Sequence, residues 1–180
     1  MAEGEKKILL IVTGGIAAYK TPGLVGALRA GGAEVRCAMT HNATHFIGAA
    51  SLEAASGSPV LLDLFAADEQ GIDHVSWGQW ADLLLVAPAT ANFLAKMAHG
   101  LADDAASTMA LATRAPVLVA PAMNDAMWAH PATVANLALL KERGATLVGP
   151  EEGELAEGYS AVGRMSEPEV IARAAVTLLA

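Results

Sequence analysis

The chain has 180 residues, 54% apolar and 17% charged, enough for one buried core and too few to leave much for a second domain. Its formal net charge is -8 and its 11 Lys and Arg residues are scattered, which excludes a nucleic-acid partner that would need a clustered basic face. No apolar run approaches the roughly 20 residues of a membrane span; the stretch from Ala81 to Ala89 is broken by Asp82 and Pro88.

The opening Met1-Ala-Glu-Gly-Glu-Lys-Lys leads straight into a strand-like segment without a signal-peptide pattern, so the expected location is the cytoplasm. Residues 7–12 (KILLIV) form a continuous apolar run closed by Thr13-Gly14-Gly15, and a helix-compatible stretch follows over 16–30. That order reads as a buried strand, a glycine turn and a helix. Gly31-Gly32 ends the helix and 34–39 (EVRCAM) reads as the next strand. The single cysteine, Cys37, lies in that strand and reads as a buried core thiol.

A short strand at 60–62 precedes a polar loop at 63–73, and further buried strands are expected at 83–87, 116–120 and 145–148, separated by helix-like segments. Strands alternating with helices imply a single doubly wound α/β domain, Rossmann-like or flavodoxin-like, with a parallel sheet. Three glycines interrupt any period between Glu151 and Gly163, which reads as a loop of functional length. A closing helix follows Glu167-Pro168-Glu169, with Ser166 as its N-cap.

In such a sheet a ligand lies beyond the carboxyl ends of the strands. Segments leaving strand ends are Thr13-Gly-Gly-Ile-Ala-Ala-Tyr-Lys20, Met39-Thr40, Pro88-Ala-Thr-Ala-Asn92 and Pro121-Ala-Met-Asn-Asp-Ala-Met-Trp128. The first places glycines at a helix N-terminus, where backbone can approach an anion; a tight turn without a ligand has the same appearance. Thr40, Thr90 and Asn92 are placed either to hydrogen-bond a phosphate or heterocycle edge, or to cap the helices they precede. His41, His45, His99 and His130 fall in no ligand spacing, so no metal site is expected. Asn124, between Met123 and Met127 in an apolar stretch, calls for a partner, because an unpaired buried amide costs free energy.

Those segments, with His74 before a helix, Ala95-Lys96 and Gly100-Leu-Ala-Asp-Asp104, occur in the order found in homo-oligomeric flavin-containing cysteine decarboxylases. The chain resembles that family from about residue 7 to 168, and within it the phosphopantothenoylcysteine decarboxylases. The resemblance implies FMN, its phosphate held by Gly14, Gly15, Ile16 and Ala17 with Thr40, and its ring lined by Pro88, Ala89, Thr90, Ala91 and Asn92. It implies His74 as catalytic base and Asn124 as the grip on the substrate carboxylate, with Met123 and Met127 beside it. The family's reaction oxidises the cysteine side chain to a thioaldehyde by passing a hydride to FMN, after which the carboxylate leaves as carbon dioxide. A His of ordinary pKa suits the base.

The family's flexible substrate flap, expected over about 151–165, usually reads Leu-Ala-Cys-Gly, and its cysteine helps reduce the enethiol. Here Leu155-Ala156-Glu157-Gly158 precedes Gly163-Arg164-Met165, so Glu157 stands in the cysteine's place. Leu155, Ala156, Gly158, Arg164 and Met165 are the expected substrate contacts, with Glu157 as a proton donor. Three readings follow: conversion of phosphopantothenoylcysteine to 4′-phosphopantetheine in coenzyme A synthesis, oxidative decarboxylation of a peptide's C-terminal cysteine to an enethiol, or a non-catalytic flavin-bearing regulatory subunit. The resemblance also implies a homotrimer or dodecamer, and a chain that is either monofunctional or cut from a longer enzyme with a synthetase domain.

Overall fold

The computed structural model describes residues 5–64 and 73–180, the side chains of 73–75 excepted. Six strands form one parallel sheet: β1 (Lys6–Val12), β2 (Ala33–Met39), β3 (Val60–Leu61), β4 (Leu83–Ala89), β5 (Val117–Pro121) and β6 (Thr146–Leu147). Their spatial order is β3-β2-β1-β4-β5-β6. The chain therefore runs outward from β1 in one direction, crosses back, and runs outward from β4 in the other. The crevice between β1 and β4 is the topological switch point, where doubly wound folds bind nucleotides.

The apolar runs are continuous because both faces of the sheet are covered. Side chains alternate between two cores. Ile8, Leu10, Val12, Leu83 and Leu85 pack on α1 (Thr21–Ala30), α2 (Ala49–Ser56) and α8 (Pro168–Leu179), whereas Leu9, Ile11, Leu84 and Val86 face α4 (Ala91–His99), α5 (Ala105–Ala112) and α7 (Pro131–Glu142). Cys37 is a free, buried thiol in the first core, and burial pushes its pKa up to about 12 against a weaker, opposing hydrogen bond from Ser56.

Three sequence readings are corrected. The helix expected over 16–30 opens as a separate 3-10 turn, Ile16–Lys20, before α1 begins with Pro22 in its first turn. Ser166 does not cap α8: it is buried against the Gly149 turn, and Glu167 takes the N-cap position with Pro168 following. The stretch read as a loop between Glu151 and Gly163 is an antiparallel hairpin of β7 (Glu151–Glu154) and β8 (Ser160–Arg164). Its backbone pairing needs no apolar alternation, so period-2 reasoning had nothing to find. The polar loop expected at 63–73 lies, from residue 65 to 72, outside the described residues.

Candidate active site

Thr13, at the end of β1, is almost fully buried and stitches the switch point together. Its hydroxyl donates to the Pro88 carbonyl at 2.6 Å and accepts from the Thr90 N–H at 3.1 Å. Thr90 in turn caps α4, accepting from the Phe93 N–H at 3.3 Å. The two turns thus form one rigid floor. Behind it, a Cβ on Gly14 would lie 2.5 Å from the Asn42 Cβ, so the glycine is required by the turn after β2 packing against it. Thr40 opens that turn; its N–H donates to the Val12 carbonyl at 3.0 Å, while its Oγ1 is buried without a hydrogen-bond partner among the described residues.

The opposite wall grows from β5. The Ala122 N–H donates to the Ala89 carbonyl at 3.1 Å and the Met123 N–H to the Gly163 carbonyl at 3.0 Å, which joins the hairpin to the end of the sheet. Gly163 admits no side chain, because a Cβ there would collide with the Met123 carbonyl oxygen. Asn124 then caps the short helix α6 (Asp125–Ala129), its Oδ1 accepting from the Ala126 N–H at 2.9 Å. That bond fixes the amide. Its Nδ2 donates to Glu157 Oε1 at 3.1 Å and to Tyr159 Oη at 2.9 Å, both on the hairpin tip. Tyr159 donates onward to Asp125 Oδ1 at 2.6 Å, and this bond to a carboxylate holds the phenol above its ordinary pKa despite the opposing bond from Asn124.

Two cations close one side. Lys20 Nζ lies 3.0 Å from Glu167 Oε1, and Arg164 pairs with the same oxygen. The bond from Lys20, aided by Arg164, holds the Glu167 carboxyl below its usual range.

Between floor, wall and hairpin lies a cavity of about 610 Å³. Of the residues expected to hold a cofactor, Gly14, Gly15, Ile16, Ala17 and Thr90 line it. Thr40 lies behind the floor; Pro88 and Ala89 belong to the end of β4, and Ala91 and Asn92 start α4, with Asn92 exposed. Met123, Asn124, Met127, Leu155, Ala156, Glu157, Arg164 and Met165 all line the cavity, while Gly158 forms the hairpin turn with φ of 84°. His74 is the second residue of α3 (Asp73–Trp80), and its side chain lies outside the described residues. Sequence reasoning did not single out Tyr19, Lys20, Ala122, Glu154 or Gly163 as cavity residues, nor Tyr159 as a partner of Asn124. Lys20 lay within a quoted motif; for Tyr159, on the hairpin, no local pattern gave a signal.

A doubly wound domain with a lidded cavity at its switch point defines a nucleotide-binding α/β protein. The family model described as Flavoprotein matches residues 1–180, and the chain belongs to that family. It is 50% identical over 179 residues to the coenzyme A biosynthesis bifunctional protein CoaBC of Escherichia coli strain K12, covering 98% of this chain and 44% of that one. The corresponding protein of Mycobacterium tuberculosis is 48% identical over 174 residues, 97% of this chain and 41% of that protein. The chain thus spans less than half the length of these relatives. Among solved structures, a PPC decarboxylase mutant complexed with pantothenoylaminoethenethiol superposes with a TM-score of 0.85 at 34% identity, over 96% of this chain and 97% of the other. The FMN-dependent cysteine decarboxylase SpaF gives 0.82 at 36% identity, over 98% of each.

Proposed function

We propose that this domain binds FMN and decarboxylates phosphopantothenoylcysteine to 4′-phosphopantetheine, in the cytoplasm, as a homo-oligomer. The observation that carries the reading is the cavity itself: a fixed Asn124 amide faces a switch-point floor, in a chain that superposes along nearly its full length on a PPC decarboxylase.

The residues present fit the cofactor. Thr40 Oγ1 is a buried hydroxyl with no partner among the described residues, in the turn whose Asn42 packs on Gly14, and a phosphate oxygen would satisfy it. When bound there, the flavin supplies the two-electron acceptance that cysteine oxidation requires. The chain's own residues do the rest. Thr13 and Thr90 hold the floor rigid, Asn124 orients the substrate carboxylate, Met123 and Met127 supply an apolar flank, and the hairpin excludes water. His74, at the start of α3, takes the thiol proton. Gly14 to Ala17 with Thr40 hold the phosphate, and Pro88 to Asn92 border the ring.

Glu157 in the hairpin favours a second reading, oxidative decarboxylation of a peptide ending in cysteine, because that product leaves as the enethiol and needs no thiol in the lid. Incubating the purified protein anaerobically with phosphopantothenoylcysteine, and separately with such a peptide, separates the two by mass spectrometry: loss of carbon dioxide alone against loss of carbon dioxide and two hydrogens. A His74→Asn variant that keeps flavin and loses turnover supports the base; full activity removes it. Light scattering that returns an active monomer removes the oligomer.

A further inference from the structure

Asn124 has one acceptor and two amide hydrogens, and the chain itself occupies all of them. The Ala126 N–H takes Oδ1, and Glu157 and Tyr159 take Nδ2. An incoming carboxylate must displace one of the two hairpin groups. Tyr159 is secured a second time, by its 2.6 Å bond to Asp125. Glu157 has no hydrogen bond among the described residues other than the one to Asn124. It is also the same chemical group as the ligand, and two carboxylates crowded on one amide repel each other.

We infer that Glu157 is an internal occupant of the substrate-carboxylate position on Asn124, displaced when substrate binds and restored when carbon dioxide has left. The inference rests on the decarboxylase reading above. While the substrate carboxylate holds Asn124, Glu157 is turned out and the tip stays tied through Tyr159 to Asp125; once the carboxylate is gone, Glu157 returns to the amide. Glu157 is then a specificity-determining residue that lowers affinity for carboxylate-bearing ligands alone. In this state Glu157 accepts the amide hydrogen through Oε1.

The test compares two non-reacting ligands of the FMN-loaded protein by calorimetry: 4′-phosphopantothenoylserine, which keeps the carboxylate and lacks the thiol, and 4′-phosphopantetheine, which lacks the carboxylate. Glu157→Ala is expected to bind the serine compound about fivefold more tightly, the worth of one displaced hydrogen bond, and to leave phosphopantetheine affinity within about twofold. Glu157→Gln, which keeps an acceptor without the charge, is expected between the two. An unchanged ratio of the two affinities overturns the inference, as does an equal change in both. If the wild type still decarboxylates phosphopantothenoylcysteine, only the inference has failed; if it neither turns over that compound nor binds either ligand, the underlying reading has failed with it.

Discussion

At the scale of single residues, Thr40 is the position where stability and binding pull apart. A buried hydroxyl without a partner bears its desolvation cost with no compensating bond. Thr40→Val keeps the shape and removes the hydroxyl, so the flavin-free protein is expected to gain about 1 kcal/mol, read as a rise in melting temperature. FMN affinity is expected to fall about tenfold, because a hydrogen bond to a charged phosphate is worth more than a neutral one; fluorescence titration of the free flavin measures it. A stability loss, or unchanged affinity, would show that Thr40 serves packing only. Asn124 was legible in the sequence for the complementary reason, an amide in an apolar stretch that demanded partners. Gly14 was legible as a glycine in a turn, but the packing of Asn42 that bars a side chain there was not.

At the scale of elements, the strands and helices of the sheet were readable because burial on two faces writes continuous apolar runs separated by glycine turns. The hairpin was not. Its strands are short, rich in glutamate and glycine, and mostly exposed, and they are held by backbone bonds and by the Met123–Gly163 junction, none of which leaves a side-chain period. The tip hangs on Tyr159. Because the bond to Asp125 raises the phenol's pKa, its contribution is complete below the ordinary tyrosine range and is lost as pH rises through the raised folded value. Chymotrypsin cleavage after Tyr159, with substrate-independent controls, is therefore expected to accelerate only at strongly alkaline pH. Tyr159→Phe, which keeps the cleavage site and loses the hydroxyl, is expected to be cleaved several-fold faster at neutral pH and to show no alkaline step. Equal cleavage of the two proteins at neutral pH would mean that the bond does not hold the tip.

At the scale of the whole molecule, the fold depends on how the second helix layer is pinned, and the segment from Gly100 to Asp104 does this. Asp104 caps α5 through a reciprocal pair of bonds with Ser107, and Lys96 of α4 reaches both Asp104 at 2.7 Å and Asp103 at 2.5 Å. The sequence displayed Lys96 and the two aspartates as a motif, but their meeting is a tertiary fact, because it depends on how the chain turns between the two helices. Burial works against ionisation of Asp104, yet the Lys96 and Ser107 bonds outweigh it and hold the carboxyl below its ordinary range. Asp103, more exposed, is lowered chiefly by its bond to Lys96. A carboxyl whose folded pKa is depressed stabilises the native state above its unfolded value and ceases to do so as pH falls through the folded one. The clamp is thus intact at neutral pH and released in acid. Lys96→Met, which retains the stem's packing and deletes the charge, is expected to cost about 1 kcal/mol at pH 7, mostly through Asp104, since exposed pairs contribute little. Below the folded pKa of both aspartates the wild type has lost the same interaction. Thermal melts of the two proteins should therefore differ at pH 7, draw together as pH falls below about 4, and coincide in stronger acid; a difference that persists there would assign the role of Lys96 to packing rather than to charge.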